Sequence, residues 1–164
     1  METPSRIDLT DKVVVVTGAG RGIGAAIAGA FAEAAADVVV ADLNRENAQK
    51  TTDGLMALGR RALAVTADVG VPAQVNQLFD TVRTEFGRLD ILVNNAGVWF
   101  RKPFLEISDS EWDLVLTTNL KGTFLCTQQA ARIMISSKGR LHHQYRFARR
   151  ALLQPRPRRS LRCL

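Results

Sequence analysis

The sequence is poor in cysteine and tyrosine and contains no long apolar run. Its two cysteines, Cys126 and Cys163, lie in no Cys-x-x-Cys or Cys/His spacing, so we expect neither a metal site nor a disulfide framework. No apolar stretch reaches the length that spans a bilayer, and Met1 to Pro4 lacks the basic-then-apolar order of a signal peptide. The sequence therefore predicts a cytoplasmic protein with no membrane partner.

Acidic residues are absent from the last part of the chain. Residues 1–137 contain 13 Lys and Arg and all 16 Asp and Glu of the sequence, whereas residues 138–164 contain nine Lys and Arg and no acid. The net charge of +6 therefore comes entirely from the terminal segment. We predict an α/β domain over 1–137 and a basic tail over 138–164 that is disordered or foreign to the domain.

Strand and helix patterns alternate through the first part. Strands are predicted at 12–17, 37–42, 62–67 and 89–94, because each is a short run rich in apolar and β-branched residues. Helices are predicted at 23–36, from a cap at Asn44 to about 58, from Pro72 to a stop at Gly87, from a cap at Ser108 or Asp109, and at 119–134. This alternation predicts a Rossmann-like, doubly wound parallel sheet, truncated after about four strands.

A glycine-rich turn, TGAGRGIG, connects the first strand to the first helix. Glycines there permit a tight turn and close approach to a pyrophosphate, and the following helix N-terminus favours anions. Asp42 ends the second strand, where an acid can bind the ribose hydroxyls of a dinucleotide and repel the 2′-phosphate of NADP. We therefore expect NAD as cofactor, with NADP possible because Arg21 is a nearby cation. A solvated strand-end aspartate is the alternative.

Four motifs together resemble the short-chain dehydrogenase/reductase family over about residues 8–140. They are the TGAGRGIG turn, the Asp-Val after the third strand, the NNAG sequence at 94–97 and the Asn in TTNLKG. The resemblance implies hydride transfer between a nicotinamide and an alcohol or carbonyl substrate, and it implies homo-oligomers in some members. The implied cofactor-binding residues are Thr17, Gly18, Arg21, Gly22, Ile23, Gly24, Asp42, Asp68, Val69, Asn95, Ala96 and Gly97.

Asn119 is the only member of the family's catalytic tetrad that the resemblance places in this chain. In the family this Asn supports a helix and helps to hold a water of a proton relay; a simple helix N-cap is the alternative. No Tyr-x-x-x-Lys occurs in the sequence. The only tyrosine, Tyr145, comes too early and has Arg149 where the family has Lys, and Ser136 and Ser137 fall at a helix end. Substrate identity is not encoded in these motifs.

A change of reading frame is one hypothesis for the tail. Codons for residues 142–147, read one base later, permit Ile-Ile-Asn-Ile-Gly-Ser, which resembles the family's fifth strand and catalytic Ser. Two other functions stay open. One is a catalytically inactive dinucleotide-binding fragment. The other is binding of nucleic acid or an acidic partner by the basic tail, which the tail disfavours because only Tyr145 and Phe147 offer stacking. A four-stranded domain would also leave an apolar strand edge, so we expect poor solubility or a loose fold.

Overall fold

Strands and helices alternate along residues 7–137, which are the residues that the computed structural model describes. The elements in chain order are β1 (Val13–Thr17), α1 (Gly22–Glu33), β2 (Asp37–Asp42), α2 (Arg45–Ala57), β3 (Ala62–Thr66), α3 (Pro72–Phe86), β4 (Ile91–Val93), a 3-10 helix (Phe104–Glu106), α4 (Asp109–Val115), a π-helical segment (Leu116–Gly122) and α5 (Thr123–Ser137). The predicted Rossmann-like α/β class is confirmed.

The strands form one parallel sheet in the order β3-β2-β1-β4. The registers pair Val13 with Asp37, Val14 with Ile91 and Val38 with Ala62. After β3 the chain crosses to the other side of β1 to form β4. The strand order therefore reverses between β1 and β4, and this position is the switch point of the sheet. In open α/β sheets, ligands bind at the carboxyl ends of the strands at the switch point, so we expect a ligand site between the carboxyl ends of β1 and β4.

Side chains of β1 alternate between two buried clusters, one on each face of the sheet. Val13 and Val15 belong to a cluster that includes Leu78 of α3 and Ala130 of α5. Val14 and Val16 belong to the other cluster, together with residues of α1 and α2. All five residues of β1 are buried, because helices cover both faces of the strand.

The first helix packs on the sheet through small residues. Gly24, Ala28 and Ala32 are its buried positions and recur every fourth residue, so they lie along one side. Small side chains there permit close approach of α1 to β1. This packing places the N-terminus of α1 at the carboxyl end of β1 and fixes its orientation there.

Several predicted boundaries differ from those in the structure. The helix predicted to reach residue 36 ends at Glu33, because Ala35 adopts a φ of 72° and turns the chain into β2. The strand predicted at 89–94 is shorter, at Ile91–Val93. Asn44 caps α2 as predicted, and Ser108 rather than Asp109 caps α4.

The helix predicted to begin at residue 119 begins earlier. A single helical run passes from α4 through the π-helical segment into α5 and ends at Ser137. Asn119 lies inside the π-helical segment and is therefore not the N-cap of a separate helix, so that alternative was wrong.

The tail predicted over 138–164, with Tyr145 and Arg149, lies outside the described residues. Within residues 7–137, no helix is both long and apolar enough to cross a membrane.

Candidate functional site

The turns that follow β1 and β4 are joined at the carboxyl edge of the sheet. The Thr17 hydroxyl accepts hydrogen bonds from the backbone N–H groups of Asn95 and Ala96, both at 3.1 Å, and donates to the Val93 carbonyl at 3.3 Å. The Asn95 amide donates in return to the carbonyls of Thr17 and Gly18, both at 3.0 Å. Two predicted site residues thus hold the switch point together.

Close packing requires glycine at two positions of the glycine-rich sequence, Gly18 and Gly24. A Cβ on Gly24 would lie 2.2 Å from the Gly18 carbonyl oxygen, and one on Gly18 would lie 2.7 Å from the Ala96 Cα. Gly18 also has a φ of 63°, in the left-handed region. The sequence therefore places glycine here because the two turns approach each other too closely for a side chain.

The N-terminus of α1 is open. Arg21 occupies the N-cap position without a side-chain hydrogen bond to the helix, and the first turn contains no acidic residue. A Cβ on Gly22, which has a φ of 58°, would meet nothing within 4 Å, and Ile23 is 76% exposed. First-turn N–H groups and the positive end of the helix dipole are therefore accessible to an anion.

Asp42 lies beside the glycine-rich turn at the end of β2. Its Oδ2 accepts a hydrogen bond from the Gly20 N–H at 2.8 Å, and its Oδ1 accepts one from the Asn44 N–H at 2.9 Å. Each carboxylate oxygen retains further acceptor capacity. These two hydrogen bonds hold the carboxylate in a fixed orientation close to the turn. A carboxylate held in this way can accept hydrogen bonds from the hydroxyl groups of a ligand.

Asp68 and Val69 lie in the loop after β3. Asp68 accepts a hydrogen bond from the Gly70 N–H at 2.8 Å, and its own N–H donates to the Gln74 side chain at 2.8 Å. Val69 is buried against the π-helical segment, where a Cβ on Gly122 would lie 2.7 Å from the Val69 Cγ2. Asp68 thus joins the loop after β3 to the first turn of α3, and Val69 packs that loop against the π-helical segment.

Asn119 contacts the loop that follows β4. Its Oδ1 accepts from the Val98 N–H at 2.8 Å and its Nδ2 donates to the Val98 carbonyl at 2.9 Å. A Cβ on Gly97 would lie 3.3 Å from the Asn119 Oδ1, so glycine permits this approach. The side chain therefore pins the loop, while the Asn119 carbonyl accepts from the Thr123 hydroxyl at 2.8 Å. π-Helical turns often occur at functional sites.

A polar network supports the beginning of α4. Ser108 and Glu111 form a capping box, and Lys102 Nζ lies 2.9 Å from the Glu111 Oε2. The Ser108 N–H, then Lys102 and the Ser108 hydroxyl, lower the pKa of Glu111 to about 2. This network fixes the far end of the loop that Asn119 pins.

Two residues that the sequence did not indicate support the glycine-rich turn and the beginning of β1. The Thr51 hydroxyl of α2 donates to the Gly20 carbonyl at 3.0 Å. The Asp90 carboxylate accepts from the Val13 N–H at 3.1 Å and from Arg88 at 2.9 and 2.8 Å. Neither contact follows from a local pattern, because Asp90 lies 77 residues from Val13 and Thr51 lies 31 residues from Gly20.

Comparison with known proteins places most of the chain in one family. The family model described as short chain dehydrogenase matches residues 12–141. D-threitol dehydrogenase of Mycolicibacterium smegmatis is 43% identical over 131 residues, covering 80% of this chain and 50% of that protein. Versicolorin reductase of Emericella nidulans is 41% identical over 133 residues, covering 80% and 50%.

A solved structure agrees with these sequence matches. A short-chain type dehydrogenase/reductase from Mycobacterium marinum superposes with a TM-score of 0.77 at 37% identity, covering 80% of this chain and 52% of that chain. The chain thus spans about half the length of these relatives.

Proposed function

This chain belongs to the short-chain dehydrogenase family, and on that premise we propose that it binds NAD across the carboxyl ends of β2, β1 and β4. The observation that carries the proposal is the open N-terminus of α1, placed by the glycine-rich turn directly beside the switch point. Members of this family use NAD or NADP in oxidation and reduction of alcohol and carbonyl groups.

The residues at the strand ends fit a dinucleotide. The uncapped first turn of α1 and the open space over Gly22 suit a pyrophosphate, and Gly18 permits the turn to approach the loop after β4. Asp42, oriented by Gly20 and Asn44, suits the hydroxyls of the adenosine ribose. Thr17, Arg21, Ile23, Gly24, Asp68, Val69, Asn95, Ala96 and Gly97 complete the proposed cofactor set.

NAD is the proposed cofactor rather than NADP, because the Asp42 carboxylate would lie close to a 2′-phosphate. The negative charges of the carboxylate and the phosphate would repel each other, and the exposed Arg21 is the one cation of the glycine-rich turn that could offset this repulsion. NAD, when bound, supplies the hydride acceptor. The residues of this chain bind it, orient it and keep the strand-end loops in place.

The reaction proposed for the whole protein is hydride transfer between the nicotinamide and an alcohol or carbonyl substrate. The relatives act, by their names, on compounds as different as a small polyol and versicolorin, so the proposed substrate class stays broad. Asn119 is the one tetrad residue assigned here; its proposed role is to hold the loop at Val98 in position. A dinucleotide-binding chain without catalysis is the second candidate, because the contacts at the strand ends support cofactor binding rather than a particular reaction.

A second copy of the chain is the proposed macromolecular partner. Trp112, Leu116, Leu120 and Phe124 recur every fourth residue along the run from α4 to α5, and they are 54%, 39%, 67% and 60% exposed. An exposed apolar stripe of this kind is typical of a protein–protein interface.

The choice of cofactor is testable by titrating the chain with NADH and NADPH and following nicotinamide fluorescence. We expect tighter binding of NADH. Asp42→Asn removes the charge but keeps an oxygen for the Gly20 N–H, and it should lower the preference for NADH by about tenfold. Asp37→Asn, at the other end of β2, is the matched control. Equal affinity of the wild-type chain for both cofactors would contradict the assignment of Asp42.

A further inference from the structure

Gly20 in the middle of the glycine-rich turn is held from two sides. Its N–H donates to the Asp42 Oδ2 at 2.8 Å, and its carbonyl accepts from the Thr51 Oγ1 at 3.0 Å. Thr51 lies 31 residues further along the chain, in the second turn of α2, and its contact with the carbonyl is partly buried. The turn is therefore attached to a helix outside the glycine-rich sequence itself.

The second helix packs closely against this part of the turn. A Cβ on Gly20 would lie 2.8 Å from the Asn47 Cβ and 2.8 Å from the Asp42 Oδ2. Asn44, the cap of the same helix, donates its N–H to the other oxygen of Asp42. Helix α2 thus contacts both the turn and the carboxylate that would receive the ribose.

The Thr51 hydrogen bond also fixes the direction of a neighbouring donor. The Gly20 carbonyl and the Arg21 N–H belong to the same planar trans peptide unit and point in opposite directions. Because Thr51 holds the carbonyl toward α2, the Arg21 N–H points away from α2. Without the hydroxyl, this peptide unit would be free to rotate, since glycine tolerates a wide range of backbone angles.

We propose that Thr51 is a positioning residue for the adenosine diphosphate portion of the dinucleotide. It holds the Gly20–Arg21 peptide unit in the orientation that presents the turn to the ligand, and it keeps Gly20 against Asp42. The inference rests on the proposed function, since it concerns the same binding site at the carboxyl ends of β2, β1 and β4, which we call the strand-end crevice. Pre-organisation of a binding loop improves affinity because less ordering remains to be done when the ligand binds.

The adjacent residue provides a matched control. Thr52 is buried, and its hydroxyl donates to the Ala48 carbonyl at 2.9 Å within α2 itself. Thr51→Val and Thr52→Val therefore remove the same hydroxyl, from neighbouring positions of one helix, but only the first removes a contact with the turn.

The experiment measures ADP-ribose binding to the full chain by isothermal titration calorimetry, with thermal melts of each variant. Thr51→Val should weaken binding about 3- to 10-fold, as expected for one lost hydrogen bond. Thr51→Ser, which keeps the hydroxyl, should bind as the wild-type chain does, and so should Thr52→Val. If Thr51→Val does not fold, Thr51→Ala removes the same hydroxyl with less bulk.

The outcomes separate this inference from the proposed function. Wild-type affinity in a folded Thr51→Val or Thr51→Ala chain would overturn the role of Thr51 while leaving the crevice assignment intact. Equal weakening in Thr51→Ser and Thr51→Val would also overturn it, because the hydroxyl would then not be the cause. Failure of the wild-type chain to bind both ADP-ribose and NADH would instead overturn the proposed function.

Discussion

At the scale of single residues, Thr17 links the two turns that form the proposed crevice. Its hydroxyl accepts hydrogen bonds from two backbone N–H groups of the loop after β4, and the residue is 1% exposed. The resemblance implied a role at the cofactor site, and the structure gives the residue an architectural contact with Asn95 and Ala96.

Replacing Thr17 with Val should therefore be costly. The change leaves the partly buried N–H groups of Asn95 and Ala96 without their acceptor, and we expect a loss of about 1–3 kcal/mol for the two together. Urea unfolding should show that loss for Thr17→Val and only a small change for Thr17→Ser, which keeps the oxygen. Equal stability of the two variants would show that the hydroxyl does not join the turns.

Individual site residues can be predicted from the sequence where the order and spacing of the elements alone determine their position. Gly18, Gly24 and Asp42 were predictable because a glycine-rich turn and a strand-end acid follow from the order of elements. Thr51 was not, because its contact with Gly20 depends on the angle at which α2 packs on the sheet, and no local pattern encodes that angle. Asn119 was found by resemblance, but its bonds to Val98 emerge only from the fold.

At the scale of elements, the run from α4 through the π-helical segment into α5 supports the loop after β4. Asn119 pins the loop at Val98, and the Lys102–Glu111 pair holds it at the beginning of α4. The helical pattern was visible in the sequence, but the π-helical segment was not, since no local pattern of residues distinguishes its i→i+5 hydrogen bonds from those of an α-helix. Boundaries were therefore predicted less well than the existence of each element.

The capping box of α4 should respond to substitution at its cap. Ser108→Ala removes the side-chain acceptor of the Glu111 N–H and should lower the free energy of unfolding by about 1 kcal/mol. Ser108→Thr preserves the acceptor and is the control. Denaturant unfolding measures the difference, and identical midpoints for Ala and Thr would exclude a contribution of the cap to stability.

The same network should make the loop sensitive to strong acid. Because hydrogen bonds from Ser108 and Lys102 hold the pKa of Glu111 at about 2, below its ordinary value, the ionised carboxylate stabilises the folded state. That contribution is present above the ordinary carboxyl pKa and is lost as the pH falls toward 2. Carboxyl-carbon NMR should follow this titration, and Lys102→Met should raise the Glu111 pKa. An unchanged pKa in that variant would contradict the role of Lys102.

At the scale of the whole molecule, the described sheet ends on one side at β4. No strand among residues 7–137 pairs with the outer edge of β4, whose three residues are half-buried. The apolar edge expected from the sequence is therefore present in the described part, and the low solubility inferred from it stays a prediction. The half of the sheet formed by β3, β2 and β1 supplies the contacts proposed for the adenosine part of the dinucleotide. The loop after β4 supplies the proposed contacts on the other side of the switch point.

If the strand-end crevice binds a dinucleotide, the thermal unfolding of the full chain at low micromolar concentration should respond to NADH. A ligand that binds only the folded chain stabilises it by about 2.7 kcal/mol at a hundredfold excess over its Kd. We therefore predict an unfolding midpoint that rises steadily with NADH concentration and rises less with the same concentration of NADPH. A midpoint that stays constant up to millimolar NADH, in a chain that unfolds cooperatively, would show that the strand-end crevice does not bind the dinucleotide.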